Sequence, residues 1–408
     1  MSDATSATSP SVEPRAPRKV KPSWSLLPMF FDAAHRALGE GCDRIDDDDR
    51  ALHDPARVIP RLGELGLLKL LVPAQQGGGA WGAGGAAVDV RALCVVREAL
   101  AYSSALADSI FAVQGLGSYP ILLAGEGQRR ASILAETVRG ERVCAFALTE
   151  PEAGSDVASM RTTARREGEH WILDGDKVFI SNVGIAKHFI VFANADPSAG
   201  KKGISAFFVE TGAEGLVTER IPMSVDHPLG RLTMRSCRIP ASALLGEVGM
   251  GLRLALGTLD VFRTSVGAAA VGMARRAIDE AIARVMRRRQ FGRPLSEFQL
   301  TQAAIADMAT ELDAARLLVC RAAWEKDQSR PEAGARSDGV SVAMAKMFAT
   351  EAAQRIIDRG VQLFGGLGVT DGNVLDRLYR EIRPLRIYEG TTEIQKLIIG
   401  GALTAQPR

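Results

Sequence analysis

The chain is poor in the residues that mark several common kinds of site. Among 408 residues there are five cysteines, at 42, 94, 144, 237 and 320. They are too far apart for a CxxC zinc spacing or a disulfide framework, and a reducing cytoplasm is the expected setting. The five histidines, His35, His53, His170, His188 and His227, form no HExxH, so a metal site built by the protein is not expected. No GxSxG elbow is present, and no GxGxxG opens a helix after a strand, which argues against a hydrolase triad and a Rossmann dinucleotide site. Net charge is only +2, leaving no electrostatic footprint for nucleic acid or an anionic membrane. By inspection no apolar run approaches the ~20 residues of a membrane span.

What is present is a chain that is 46% hydrophobic and long enough for two or three domains sharing one globule. Residues 1–24 are rich in Ser, Thr, Pro, Ala, Arg and Lys and are expected to be a disordered tail; Asp3 and Glu13 argue against a transit peptide. Over 25–141 apolar residues recur at helical spacing, as in Val90, Leu93, Val96 and Leu100, and predict an α-helical domain. Its glycine-rich stretch at 75–85 is followed by no Gly-Lys-Ser or Gly-Lys-Thr, so a flexible connection is expected. Over 142–248 short β-branched and aromatic runs predict a central antiparallel, barrel-like β domain. There Trp171–Leu173 and Val178–Ile180, joined by Asp-Gly-Asp at 174–176, read as a hairpin, and Ile190–Phe192, Ile204–Val209 and Leu232–Ile239 as further strands. Over 249–403 helical periodicity returns in four long stretches, with breaks near 292–294, 329–339 and 365–368. Val266, Ala270, Met273, Ala277, Ala281 and Val285 share one face, and a helical bundle follows. The fold class is therefore mainly α with a β domain (α+β).

Three segments mix polar, glycine and aromatic residues where plain patterning calls for loops. In Ala145–Asp156 an apolar strand ends in Thr149, Glu150 and Pro151 before Gly154, Ser155 and Asp156, which lets the backbone turn under a ligand; taken alone, the segment favours a plain β-turn with an Asx bond. Arg287–Leu295 is a basic cluster closing a helix, readable either as complementing the helix dipole or as a fork for a pyrophosphate. The third pairs residues 362–368 with 387–396: Gly365 and Gly366 suit a helix cap or a close approach to a phosphate or ring. Glu389, between Tyr388 and Gly390, is either a carboxylate made more basic by an apolar junction or the neighbour of an N-cap at Thr391 or Thr392.

Together these segments strongly resemble the acyl-CoA dehydrogenase family. Leu-Thr-Glu-Pro-Glu-Ala-Gly-Ser-Asp at 148–156, Arg-Gln-Phe-Gly-Arg at 289–293, the pair Gly365 and Gly366, and Tyr-Glu-Gly-Thr-Thr-Glu-Ile-Gln at 388–395 occur in the family's order, and the resemblance covers about residues 26–402. It implies a C-terminal four-helix bundle, a homotetramer, and FAD held between the β domain, the C-terminal helices and a neighbouring subunit. Carried over by position, the cofactor set is Phe146, Leu148, Thr149, Ser155, Phe179, Ser181, Arg288, Gln290, Phe291, Gln299, Gln362, Gly365, Gly366, Thr391 and Glu393. Ser155, Asp260, Arg263 and Gly390 match acyl-CoA contacts. Glu389 is the implied catalytic base, taking the α-proton while hydride leaves the β-carbon for flavin N5, and an electron-transfer flavoprotein is the implied acceptor. Some members carry the base on the helix that here reads Leu-Asp-Val-Phe-Arg at 259–263; Phe262 occupies that position. Phe179 stands where Trp is common, Ser181 where Thr is common and Leu367 where Asn is common. The same scaffold hosts oxidases, monooxygenases and, as a further reading, non-catalytic relatives. Ala112, in the stretch 106–116 that borders the acyl cavity, predicts room for a branched, cyclic or longer acyl group. Asp108, read as facing that cavity or solvent, would in the first case disfavour dicarboxylyl substrates.

Overall fold

The computed structural model describes residues 19–405 apart from 46, 48, 80–86, 126 and 330–338. Most of the expected tail, the middle of the glycine-rich connection and most of the break at 329–339 lie outside the described residues. Six helices come first: α1 Ser23–Leu26, α2 Ala33–Cys42, α3 Val58–Glu64, α4 Val90–Ser103, α5 Ala105–Ala124 and α6 Gly127–Arg139. Helix α4 starts where Asp89 accepts the Ala92 N–H, and α5 where Ser104 accepts the Ala107 N–H, the side-chain capping that orphan helix donors require.

Residues 19–24, expected to be tail, are tied down. Val20 N–H donates to the Asp279 carboxylate at 2.7 Å, Ser23 N–H to Glu98 at 3.1 Å, and the Lys21 carbonyl accepts from Arg316 at 2.7 Å. Their partners lie 75 or more residues away, so no local pattern announces the anchoring.

The β region follows: β1 Cys144–Ala147, β2 Thr163–Glu167, β3 His170–Ser181, β4 His188–Asn194, β5 Ile204–Glu210, β6 Glu214–Arg220, β7 Leu229–Pro240 and β8 Leu244–Leu245. They form a sheet in the order β6-β7-β3-β2-β4-β5-β8, with β1 pairing beside β4. Pairing is mostly antiparallel; β4 meets β1 and β2 in parallel, and among the described residues the sheet is open rather than closed into a barrel. The hairpin expected at 171–180 is instead one continuous strand, β3, that passes straight through Asp174-Gly175-Asp176. Those residues form a bulge: register shifts between Leu173 and Gly175, and a Cβ on Gly175 would lie 2.4 Å from Thr162 Oγ1. Asp174 and Asp176 spend their carboxylates on Ser236 N–H and on Arg235 and Thr233 of β7. The true hairpin turn is Gly168-Glu169, where Gly168 takes φ +59° and joins β2 to β3.

Helices return as α7 Gly251–Arg287, α8 Gln299–Gln328, α9 Val340–Phe364, α10 Val374–Glu381 and α11 Thr392–Thr404, with the short hairpin β9 Arg289–Gln290 and β10 Arg293–Pro294 between α7 and α8. The predicted apolar face of α7 is buried, Val266 through Val285, and as far as Ala281 it packs with α8, α9 and Cys94 and Ala101 of α4 in one core cluster. Small residues set the spacing: a Cβ on Gly272 would lie 2.2 Å from the Glu98 carbonyl, so α4 and α7 touch backbone to backbone. By length and composition α5 and α7 are apolar enough to cross a membrane, yet 78% and 67% of those windows are buried inside the fold, as core helices are.

Candidate active site

The Glu389 loop connects α10 to α11. Tyr388 N–H still donates to the Pro384 carbonyl at 3.0 Å, and then the chain reverses through two left-handed residues, Glu389 at φ +54° and Gly390 at φ +90°. A non-glycine residue in that region is strained, and it persists only where its surroundings over-determine it. Here they do. Arg263 Nε of α7 donates to the Glu389 carbonyl at 2.9 Å; Lys346 Nζ of α9 and Gln395 Nε2 of α11 both donate to the Gly390 carbonyl, at 2.8 and 2.9 Å. Thr391 caps α11 by accepting the Ile394 N–H at 3.3 Å, so the capping reading and the loop coexist.

Three helices thus hold the backbone and leave the side chain unclaimed. Glu389 Oε2 is buried without a hydrogen-bond partner. Burial pushes this carboxyl above the usual carboxylate range, against the pull of Arg97, Arg263 and Lys346, with Asp108 adding to the rise. Burial likewise pushes the Lys346 ammonium down to about 8, although Glu389 works to keep it charged.

Lys346, fully buried, is a residue the sequence reading missed. Its signal was positional: Val342, Ala343, Ala345 and Ala349 around it are all buried, which puts Lys346 on the apolar face of α9. Asp108 is also corrected. It faces neither solvent nor an open cavity, but is buried in a two-pronged ion pair with Arg97 of α4, Nε to Oδ1 at 2.8 Å and Nη2 to Oδ2 at 2.9 Å. Phe262 is fully buried, with its ring edge-on to Tyr119 at 5.8 Å; a Cβ on Gly115 would lie 2.3 Å from it, so glycine lets the ring lie against α5. Ala112 is buried on the same helix.

The other predicted residues fall into two groups. In the sheet, Phe146 belongs to β1 and Leu148 and Thr149 follow it, and the Thr149 carbonyl accepts the Val178 N–H at 3.0 Å, which brings them beside Phe179 and Ser181 of β3. Phe179 is 63% exposed at φ +58°, and Ser181 Oγ pairs with His227 Nε2 at 2.9 Å, a ring that burial pushes down to about 4. Phe146, Tyr119, Leu259 and Val261 pack against the cluster that contains Phe262, whereas Tyr388 of the Glu389 loop packs against the bundle cluster; Val261 borders both. Ser155 is exposed, Asp260 is ion-paired with Lys326 of α8, and Glu393 is exposed in the first turn of α11. The second group lies far away. Arg288, Gln290, Phe291 and Gln299 sit beyond the end of α7, roughly 36 Å along that helix from Arg263 at about 1.5 Å per residue. Gln362, Gly365 and Gly366 end α9 nearby, where Arg284 lies over the Phe364 ring. All seven are exposed.

Comparison with known proteins assigns the whole of this architecture. Three family models match: acyl-CoA dehydrogenase, N-terminal domain, over 28–141; middle domain over 145–237; and C-terminal domain over 249–404. The chain is 38% identical over 392 residues to the probable acyl-CoA dehydrogenase FadE25 of Mycobacterium tuberculosis, covering 94% of this chain and 98% of that one. It is 36% identical to the 3-(aryl)acrylate reductase of Clostridium sporogenes, covering 88% and 93%. The solved butyryl-CoA dehydrogenase of Megasphaera elsdenii superposes with a TM-score of 0.82 at 30% identity, covering 92% and 99%. With a helical N-terminal region, a central sheet and a C-terminal helical bundle all matched in order, the chain belongs to the acyl-CoA dehydrogenase family.

Proposed function

We propose that this enzyme removes two hydrogens from an acyl-CoA thioester to give the 2,3-enoyl thioester, and that Glu389 takes the α-proton. The observation that carries this reading is the unpartnered, buried Oε2 of Glu389 on a loop fixed by Arg263, Lys346 and Gln395. A carboxylate deprived of water and hydrogen-bond donors is a stronger base toward a carbon acid, and a base held by its own backbone is aimed in advance. The thioester α-hydrogen becomes removable as charge on the carbonyl oxygen meets fixed donors in a dry cleft; the family resemblance gives that part to a backbone amide beside Glu389. Ser155, Asp260, Arg263 and Gly390 are the proposed acyl-CoA contacts.

The residues fit FAD. Phe179 presents an exposed aromatic face, the Thr149 carbonyl is bonded to the neighbouring Val178 N–H, Ser181 follows Phe179 by two residues in β3, and Cβ positions on Gly365 and Gly366 meet nothing within 4 Å, which leaves room for close approach. When bound, FAD supplies the acceptor for the β-hydrogen as hydride. Phe146, Leu148, Thr149, Phe179 and Ser181 orient the ring against the β region, with Ser155, Thr391 and Glu393 completing that side. Arg288, Gln290, Phe291, Gln299, Gln362, Gly365 and Gly366 lie too far along the bundle to join them within one chain; they serve the cofactor of a neighbouring copy, in line with a homotetramer. An electron-transfer flavoprotein is the proposed acceptor.

One relative is named a 3-(aryl)acrylate reductase, which favours a second direction for the same site: protonated Glu389 would return its proton to the α-carbon of an aryl-substituted enoyl thioester while the β-carbon would receive hydride from FAD in its reduced form. Anaerobic mixing with straight-chain, branched and aryl-bearing acyl-CoAs, followed by flavin bleaching, tests both substrate and base. Glu389→Gln is expected to keep FAD and bleach at least roughly 10³-fold more slowly. Bleaching at the wild-type rate would remove Glu389 from the role.

A further inference from the structure

The Arg97–Asp108 ion pair is buried, joins α4 to α5, and has no part in the reading above. Arg97 is fully buried and Asp108 is 1% exposed, so neither presents surface to substrate. Burying a full ion pair is costly, and replacing one with apolar residues is often neutral or stabilising, so packing alone does not account for it. Its third arm points to the loop. Arg97 Nη1 donates to Ser265 Oγ at 3.0 Å, and Ser265 Oγ donates to the Phe262 carbonyl at 2.6 Å. Arg263, in that same turn of α7, holds the Glu389 carbonyl. On the other side the Tyr388 phenol, next to Glu389 in the chain, sits against the Arg97 guanidinium. Arg97 therefore reaches the Glu389 loop twice, through Ser265 and through Tyr388.

Resting on Glu389 as the base, we infer that Arg97 and Asp108 are positioning residues that set the electrostatic balance of its carboxyl through opposed, unequal effects. Four charged groups on four helices face that carboxyl: Arg97 from α4, Asp108 from α5, Arg263 from α7 and Lys346 from α9, with the Tyr388 phenol beside them. Arg97 stabilises the ionised base. Asp108 holds Arg97 in place and opposes it more weakly, so the pair delivers a reduced positive field with the geometry of a rigid fork. Arg263 and Lys346, which bond backbone carbonyls, fix where the base is; Arg97 and Asp108 set how readily it accepts a proton.

The test uses the FAD-loaded enzyme and two variants that break the same bridge, the near-isosteric Asp108→Asn and the double Arg97→Gln/Asp108→Asn. The readouts are the acidic limb of the kcat/KM profile and the pH titration of the Glu389 carboxyl by infrared difference spectroscopy, its band identified by loss in Glu389→Gln. Asp108→Asn leaves Arg97 unopposed and is expected to move both readouts to lower pH. The double variant removes the larger, attractive effect as well and is expected to move them to higher pH, by on the order of one unit. A purely structural bridge would give two variants with equally impaired turnover and unmoved titrations. Shifts of the same sign, or none, with Glu389→Gln inactive, would overturn this inference alone; a Glu389→Gln enzyme that still bleaches would overturn the base assignment instead. Should the double variant not fold, Asp108→Asn decides by the direction of its shift.

Discussion

Two glycine-bearing turns in the C-terminal helical region look alike in sequence and differ in what surrounds them. Both Gly390 and Gly365 take a left-handed φ at a helix boundary, +90° and +64°. Around Gly390 the carbonyls are claimed by α7, α9 and α11, and a Cβ would lie 2.5 Å from Gln395 Nε2. Around Gly365 and Gly366 a Cβ would meet nothing, and Phe291, in the hairpin between α7 and α8, is 93% exposed. The first turn is finished within one chain, and chemistry that needs a fixed base belongs there. The second is an open edge, suited to what arrives from outside.

The comparison is broken most severely at its inner half. Lys346→Met removes one of the two donors on the Gly390 carbonyl and a cation beside Glu389, the proposed base, and is expected to slow flavin bleaching roughly 10- to 100-fold at saturating substrate with FAD retained; loss of cofactor instead would mean that Lys346 serves the outer edge. The same lysine gives a pH signature. Because burial lowers its titration to about 8, the ammonium is intact below that pH and lost above it, so turnover should decline above about pH 8 in the wild type and not in Lys346→Met. At the outer half, Phe291→Ala should weaken FAD retention by about tenfold, read by cofactor release on dilution, while the bleaching rate of FAD-saturated enzyme is unchanged. The smallest effect is on stability. The folded state raises the Glu389 titration, so the contribution of this group is greatest at low pH and is lost as pH rises through the folded value. Glu389→Gln removes that penalty and should raise the melting temperature at neutral pH by roughly one to three degrees; a lower melting point would mean that the carboxylate is paired.

Much of this was legible in the sequence, because periodicity reports directly on one-sided burial. The helix faces of α4 and α7 and the strands within β4, β5 and β7 follow from it. Asp-Gly-Asp at 174–176 misled, because a bulge and a turn demand the same residues; only the approach of Thr162 and the carboxylate partners on β7 distinguish them. The Glu389 loop was legible from its flanking glycine and capping threonine. Gln395 lies within the same motif, but the other two holders were not legible, since Arg263 and Lys346 lie on distant helices, and a lone charge on a helix ordinarily means a solvated face. Charges on otherwise apolar stripes were the available sign, and Lys346 and Arg97 both carry it.

The contact between Gly115 and Phe262 also bears on how this enzyme can change. Position 262 is where, by resemblance, some relatives carry their base, and here its ring occupies space that only a glycine on α5 leaves free. Exchanging Phe262 for Glu would open a void against α5 and bury a second carboxylate close to Glu389, while filling the void from position 115 first would collide with the ring. Each single step is therefore a loss, and relocating the base requires both together. The glycine on α5 thus ties position 262 to an aromatic ring, and a base proposed for the loop has no single-step route to that helix.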